Sequence, residues 1–144
     1  MPKILLADVD KNMRTFCRGE LDEEGYEIRT AADAQEALRQ FRSDRPDLVI
    51  LDIRIPALTD GLELLSRMMS LDNRVPVILF STCSFYLDSF VSWSADALVP
   101  KSTDLSELKG AIRYYLYRHA PQPVPNASLL PWRRVGKYYV HRPS

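Results

Sequence analysis

Four polar residues each stand at the end of a short apolar run. They are Asp8 after residues 4–7, Asp52 after residues 48–51, Ser81 after residues 77–80 and Lys101 after residues 97–100. Continuous apolar runs separated by helical patterns are typical of buried parallel strands, and parallel strands bring their carboxyl ends to one edge of the sheet. The pattern therefore predicts that two carboxylates, a hydroxyl and an ammonium share one rim.

This set of groups suits phosphoryl chemistry. Two close carboxylates repel each other, so such a pair is normally held with a cation or with one proton retained. Mg²⁺ accepts one or two carboxylates together with water and phosphate oxygens. The Lys101 ammonium and the Ser81 hydroxyl can both contact anionic oxygens. At such a site an aspartate can act as the nucleophile and form an acyl phosphate.

The elements that must position these residues alternate along the chain. The predicted strands cover residues 4–7, 26–30, 46–51, 77–80 and 97–100, and the predicted helices begin near Asp10, Asp33 and Gly61, within Phe85 to Ser94, and near Asp104. Right-handed crossovers fold this alternation into an α/β domain with a doubly wound, five-stranded parallel sheet and five helices. In the flavodoxin-like strand order 2-1-3-4-5, Asp8 and Asp52 face each other across the switch point of the sheet.

Composition bounds the rest of the interpretation. A chain of 144 residues with 46% hydrophobic residues is expected to form one globular domain. Cys17 and Cys83 are too few for a disulfide framework, and two histidines provide no zinc-ligand cluster. With no apolar run of membrane-spanning length and no signal-peptide core, we expect a cytoplasmic protein.

The last residues differ from the others in composition. Residues 1–119 contain 15 basic and 19 acidic residues, a net charge of −4, whereas residues 120–144 contain four basic residues and no acid. The second segment also has five of the ten prolines. We therefore predict a domain over residues 1–119 and an extended, Pro-rich basic and aromatic tail over residues 120–144 that lies on the body of the domain.

Several segments in order resemble the receiver domains of bacterial two-component response regulators. The resemblance covers about residues 3 to 117, and it rests on residues 3–8, 46–52, 55–56, 60–65, 75–78 and Lys101. It implies that Asp52 is the phosphoacceptor and that Asp8 belongs to a Mg²⁺ site, with a further contact from the backbone carbonyl of Arg54. It also implies that Ser81 and Lys101 contact the phosphoryl group.

This resemblance leads to our main functional expectation. A histidine kinase or a phosphotransfer protein donates a phosphoryl group to Asp52, and the protein signals through contacts with another protein rather than by binding DNA. The chain would then be a signalling domain and not an enzyme.

The sequence also departs from the family pattern. The second of two usual acids is Val9, so Mg²⁺ binding is expected to be weak unless Asp10 compensates, and Asp10 serves equally well as a helix cap. An alternative is therefore a pseudo-receiver, a binding module that is not phosphorylated. Leu98 occupies the position of the family's aromatic switch, and the Lys101–Ser102 peptide bond is expected to be trans because no proline follows Lys101.

A second alternative comes from an enzyme class. Asp8-Val9-Asp10 after an apolar strand resembles the Asp-x-Asp nucleophile motif of haloacid-dehalogenase-type phosphatases. Lys11-Asn12 follows in place of Gly-Thr, no acidic pair follows a later strand, and Asp52 would have no role. This alternative is the weakest of the three.

Aromatic residues are concentrated in the last two fifths of the chain. Three of them, Tyr114, Tyr115 and Tyr117, lie in the last predicted helix and cannot all point inward. An exposed aromatic face suits a protein partner or a homodimer. In receivers the surface from the fourth to the fifth helix is commonly used for output, and we expect the interface there.

Overall fold

A computed structural model of the chain describes residues 1–52, 61–82, 95–117, 132–135 and 138–141. The first half contains β1 (Lys3–Ala7), α1 (Lys11–Glu23), β2 (Glu27–Ala31), α2 (Ala34–Asp44) and β3 (Leu48–Leu51). The second half contains α3 (Gly61–Leu71), β4 (Val77–Ser81), β5 (Ala97–Pro100), α4 (Ser106–Tyr117), β6 (Trp132–Val135) and β7 (Tyr138–His141). The helix predicted within Phe85 to Ser94 lies outside the described residues.

The central sheet has the predicted topology. The strands β2, β1, β3, β4 and β5 lie side by side in that order, and all of these neighbours are parallel. The register pairs Ala7 with Leu51, so the residues that follow these two strands, Asp8 and Asp52, leave the sheet at the same level. The predicted α/β doubly wound sheet of order 2-1-3-4-5 is confirmed.

Helices cover both faces of this sheet. One apolar cluster joins one face to α2 and α3 through Phe41, Leu64 and Met68, and the other joins the opposite face to α1 and α4. Alternate residues of each strand enter the two clusters, as Val49 and Ile50 do in β3. Both strand faces are buried, which explains why these strands are continuously apolar in the sequence.

The predicted helix caps form where polar side chains meet free backbone N–H groups. The Asp10 carboxylate accepts from the N–H groups of Asn12 and Met13 at the start of α1, and Asp33 accepts from the N–H group of Glu36 at the start of α2. After α1, Gly25 has a φ of +92°, a left-handed conformation that glycine adopts without steric cost. The caps fix where each helix begins relative to the rim of the sheet.

The tail differs from the expectation of a wholly extended segment. Its described residues form an antiparallel hairpin in which β6 pairs with β7, and β7 adds to the sheet in parallel beside β5. The sheet therefore has seven strands among the described residues. Gly136-Lys137 stands between two short runs that contain Trp, Tyr and Val, and this is a hairpin signal that the proline content of the tail obscured.

The three tyrosines of the last helix differ in how deeply they are buried. Tyr115 is buried and donates a hydrogen bond to the backbone carbonyl of Asp96 at 2.7 Å. Tyr114 and Tyr117 are half-buried, and the Tyr114 ring meets Tyr115 edge-on with a centroid distance of 5.0 Å. The described part of α4 thus presents a partly exposed aromatic edge. Among the described helices, none is both long and apolar enough to cross a membrane.

Candidate phosphoacceptor site

The sheet brings the four predicted side chains together at the carboxyl ends of β1, β3, β4 and β5. The Lys101 ammonium lies between two carboxylates, with Nζ at 2.6 Å from Asp8 Oδ2 and at 2.7 Å from Asp52 Oδ2. Ser81 Oγ donates to the other Asp52 oxygen, Oδ1, at 3.3 Å. These contacts place two carboxylates, one ammonium and one hydroxyl in a single cluster, as the sequence predicts.

Burial makes the electrostatics of this cluster strong. Asp8 and Asp52 are each 1% exposed, Ser81 is buried, and the Lys101 side chain is 8% exposed. Charges in such a setting interact more strongly than they do in water. Burial lowers the pKa of Lys101, but hydrogen bonds and charge attraction from Asp52 and Asp8 outweigh it, so the pKa lies above the usual value. The lysine is therefore a cation at neutral pH.

The backbone around the cluster is fixed by hydrogen bonds between neighbouring strands. The Asp8 N–H donates to the carbonyl of Ala31 at 3.0 Å, and the Asp52 N–H donates to the carbonyl of Ala7 at 2.9 Å. On the other side, the Lys101 N–H donates to the carbonyl of Ser81 at 3.1 Å. The backbone of each residue in the cluster is therefore held at a position set by the sheet.

Arg14 is a residue near the site that sequence reasoning missed. Its Nη1 donates to the backbone carbonyls of Asp8 at 2.7 Å and Val9 at 3.0 Å. The Asp8 side chain is held as well, because its Oδ1 accepts from the Asp10 N–H at 2.9 Å. Nothing in the sequence indicates that an arginine on a helix makes such contacts. These two hydrogen bonds connect the β1–α1 loop to the first turns of α1.

The donor set bears on whether the site fits a metal ion. Asp8 Oδ2 is buried, and apart from its ion pair with Lys101 it has no hydrogen-bond partner among the described residues. That oxygen and the Asp52 carboxylate are hard ligands of the kind that Mg²⁺ prefers. The residues present therefore fit Mg²⁺, which Asp8 and Asp52 would hold together with water and phosphate oxygens.

The further metal contacts that the sequence suggests are less favourable. The Val9 side chain carries no ligand atom and Val9 is 48% exposed, and the Asp10 carboxylate is engaged in capping α1. Among the described residues no group of three or more His, Cys, Asp or Glu side chains could hold a metal ion. Arg54 lies outside the described residues, so its predicted carbonyl contact stays a prediction.

The Cys17 thiol lies near Asp8 and Lys101 and has low reactivity. Burial, with a smaller contribution from the Asp8 charge, raises the pKa of its thiol to about 11. Its Sγ contacts Met13 Sδ at 3.5 Å. Because the thiolate is the reactive form, Cys17 is a core residue and takes no part in the chemistry. Among the described residues, the acidic groups that contact Lys101 are therefore the side chains of Asp8 and Asp52.

Comparison with known proteins agrees with this geometry. A family model described as the response regulator receiver domain matches residues 4–113. The response regulator MprA of Mycolicibacterium vanbaalenii is 34% identical over 121 residues, which are 83% of this chain and 52% of MprA. The transcriptional regulatory protein PrrA of Mycobacterium tuberculosis is also 34% identical, over 81% of this chain and 51% of PrrA. The chain thus spans about half the length of the curated relatives it matches.

Solved structures give the same result. A crystal structure of the response regulator TrrA of Thermotoga maritima in complex with Mg²⁺-BeF is 40% identical with a TM-score of 0.76, covering 81% of this chain and 100% of TrrA. A complex of the histidine kinase ThkA with TrrA matches with a TM-score of 0.74, 40% identity, 81% of this chain and 99% of the matched chain. These comparisons define a class, the signalling domains of two-component systems. The chain belongs to the family of response regulator receiver domains.

Proposed function

We propose that Asp52 accepts a phosphoryl group from a histidine kinase or a phosphotransfer protein. The single observation that carries this proposal is the environment of the Asp52 carboxylate, which has Lys101 Nζ at 2.7 Å on one oxygen and Ser81 Oγ at 3.3 Å on the other. An ammonium and a hydroxyl are the groups that contact oxygens of a transferred phosphoryl group. The histidine kinase bound to TrrA supports the class of donor.

The chemical step forms one bond and breaks one. A carboxylate oxygen of Asp52 attacks the phosphorus atom of a phosphohistidine, the P–N bond breaks, and its electron pair returns to the imidazole nitrogen. The product is an acyl phosphate on Asp52. Mg²⁺ held by Asp8 and Asp52 would supply positive charge to the phosphoryl oxygens.

Lys101 and Ser81 have distinct roles in this step. Lys101 neutralises charge on the phosphoryl oxygens, and for this it exchanges a carboxylate contact for a phosphoryl contact. Ser81 donates its hydroxyl hydrogen to a phosphoryl oxygen. Because their backbones pair at the ends of β4 and β5, the two side chains can move toward the same group.

The direct test is phosphorylation with a small phosphodonor. Incubation of the protein with the donor and Mg²⁺ should give an adduct of one phosphoryl group, detected by mass spectrometry. The adduct should be absent in Asp52→Asn, whose amide is a poor nucleophile of similar size. An adduct that persists in this variant on another residue would exclude Asp52 as the phosphoacceptor.

A second candidate function is favoured by the residue at position 9. Val9 offers no carboxylate, Asp10 caps α1, and Lys101 already bridges Asp8 and Asp52. A pseudo-receiver that binds a partner without phosphorylation is consistent with these contacts. It predicts that millimolar Mg²⁺ leaves the NMR signals of Asp8 and Asp52 unchanged, whereas weak Mg²⁺ binding shifts them.

For both candidate functions we propose that the protein signals by contact with another protein, through a surface of the domain described here. The part of α4 that the structure describes carries the half-buried Tyr114 and Tyr117, and a partner or a second copy could cover them. Phosphorylation would shift an existing equilibrium of loops and helices toward the partner-binding state. Leu98 is 5% exposed and packs in the core beside β4, so this shift does not use an aromatic side chain at that position.

A further inference from the structure

A second cleft lies at the opposite edge of the sheet from Asp52. It is formed where α2 leads into β3 and where α3 leads into β4, and its lining includes Arg42, Arg45, Asp47, Leu71, Asp72 and Arg74. Asp47 directly precedes β3, whereas Asp52 follows it, so the length of one strand separates the cleft from the phosphoacceptor site. The cleft has a volume of about 740 Å³, a size typical of sites for small molecules.

Two arginines of this cleft are not held by its acids. Asp72 pairs with Arg74 Nε at 3.1 Å, and Asp47 Oδ2 accepts from the first backbone N–H of β1 at 2.8 Å. The pKa of Asp72 lies below its usual value, mainly because of hydrogen bonds from Arg74, so both members of this pair are charged at neutral pH. Among the residues that the structure describes, neither Arg42 nor Arg45 forms an ion pair. Their guanidinium groups are therefore available to an anion.

The backbone at Arg45 is a second observation about the cleft. Arg45 follows the end of α2 with a φ of 48°, a left-handed conformation in which glycine or asparagine is the usual residue. A basic side chain near the end of a helix balances the helix dipole, but Arg42 in the last turn of α2 already does so. The turn itself would form more easily with glycine. The backbone therefore does not explain why an arginine stands at position 45.

The same cleft offers apolar surface. Leu71, the last residue of α3, is 47% exposed, which is unusual for a large apolar side chain in the described part of the domain. Val75 is half-buried and Phe41 is buried, and both also line the cleft. A guanidinium group binds oxyanions through its forked N–H groups and also stacks on aromatic rings. Arginines beside apolar side chains therefore suit a ligand that has both a ring and an anionic group.

We propose that this cleft binds a small organic anion in which an aromatic ring carries a carboxylate, sulfonate or phosphate group. Arg42 and Arg45 hold the anionic group, and Leu71 and Val75 contact the ring. The site uses none of the residues of the phosphoacceptor cluster. Either proposal can therefore fail without the other.

The test uses the full chain and 1-naphthalenesulfonate, an aromatic anion that cannot donate a phosphoryl group. Arg45→Gly removes one guanidinium and gives the turn the residue that it favours, so the fold should be retained. We expect this variant to bind the probe about tenfold more weakly than the wild type in titration calorimetry, because a charge-assisted contact is lost. Arg18→Gln is the matched control, since it removes the charge of an exposed arginine of α1 outside the cleft. It should bind the probe as the wild type does.

Asp72→Asn should have the opposite effect. It removes the carboxylate that pairs with Arg74 and frees a third guanidinium, so the probe should bind about threefold more tightly. Two further compounds test the two parts of the ligand. Methanesulfonate lacks the ring and 1-naphthol lacks the negative charge, and both should bind more weakly than 1-naphthalenesulfonate. Binding of the probe should also weaken as salt screens the arginines.

An NMR titration locates the binding. The probe should shift the amide signals of Arg45 and Leu71 and leave that of Asp52 unchanged. If Arg45→Gly does not fold, Arg42→Gln is compared with the wild type and the α1 control instead. Equal affinity of the folded cleft variant and the wild type, an equal loss in the α1 control, equal binding of methanesulfonate, or no saturable binding would overturn the proposal.

Discussion

At the scale of single residues, Lys101 holds the site together. It is the cation between two buried carboxylates, with contacts of 2.6 and 2.7 Å. Removing one partner of a buried ion pair leaves charge without compensation, which typically lowers stability by about 3–5 kcal/mol. We therefore expect Lys101→Met to lower the free energy of unfolding by about 3 kcal/mol, measured by urea denaturation at pH 7.

Lys109 provides a matched control for this variant. It pairs with Glu20 at 3.6 Å and Glu24 at 3.4 Å at the surface between α4 and α1, with its side chain 21% exposed. Surface pairs contribute about 0–1 kcal/mol, so Lys109→Met should have a small effect. If both variants lose the same stability, Lys101 has no special role in holding the two carboxylates.

The raised pKa of Lys101 also gives a pH dependence. A lysine whose pKa is higher in the folded state stabilises the fold fully below its unfolded-state pKa of about 10.4, and this contribution is lost as pH rises through the folded pKa. We expect the stability of the wild type to fall above about pH 10.4 more steeply than that of Lys101→Met. Tyr26, whose pKa is raised by burial, titrates in both proteins and cancels in the comparison. Parallel curves would contradict the assignment.

At the scale of elements, the start of α1 decides what Asp10 does. Its carboxylate accepts from the N–H groups of Asn12 and Met13, and losing such a cap usually costs about 1 kcal/mol. We expect Asp10→Ala to lose about 1 kcal/mol of stability and Asp10→Ser to retain most of it. The Mg²⁺ affinity should be the same in both variants and the wild type, measured by titration calorimetry.

The cap of α2 serves as the control for that prediction. Asp33 accepts from the N–H group of Glu36 in the same way, with no role in the site. Asp33→Ala should therefore match Asp10→Ala in stability and leave the Mg²⁺ affinity unchanged. A Mg²⁺ affinity that falls in both Asp10 variants but not in Asp33→Ala would show that Asp10 compensates for Val9 as a metal ligand.

The elements also show how far the sequence could predict the structure. Asp52 and Lys101 are 49 residues apart, yet their contact was predictable because each follows an apolar run and parallel strands end at one edge. The contacts of Arg14 were not predictable, because its partners are backbone carbonyls, and every residue type has a backbone carbonyl. In the tail, the prolines between residues 121 and 131 predict an extended segment, whereas the residues that follow them form a hairpin. Sheet pairing of that hairpin depends on where the β5 edge lies, which is a property of the whole fold.

At the scale of the whole molecule, metal binding and folding are linked. An ion that binds only the folded state raises stability by RT ln(1 + [L]/Kd), so a tenfold tighter site adds about 1.4 kcal/mol at saturating concentration. Val9 is 48% exposed beside Asp8, and Val9→Asp would supply the missing carboxylate. Without metal this variant should be slightly less stable than the wild type, because a third negative charge joins Asp8 and Asp52.

With Mg²⁺ the order should reverse. At 10 mM Mg²⁺, a concentration that a weak site can respond to, we expect the Tm of Val9→Asp to rise by roughly 3 °C more than that of the wild type. Adding Asp8→Asn should abolish the extra rise, and NaCl of equal ionic strength controls for screening. An equal response of Val9→Asp and the wild type would mean that position 9 does not face the ion. The low metal affinity expected of this receiver would then have to come from Lys101, whose ammonium already occupies the space between the two carboxylates.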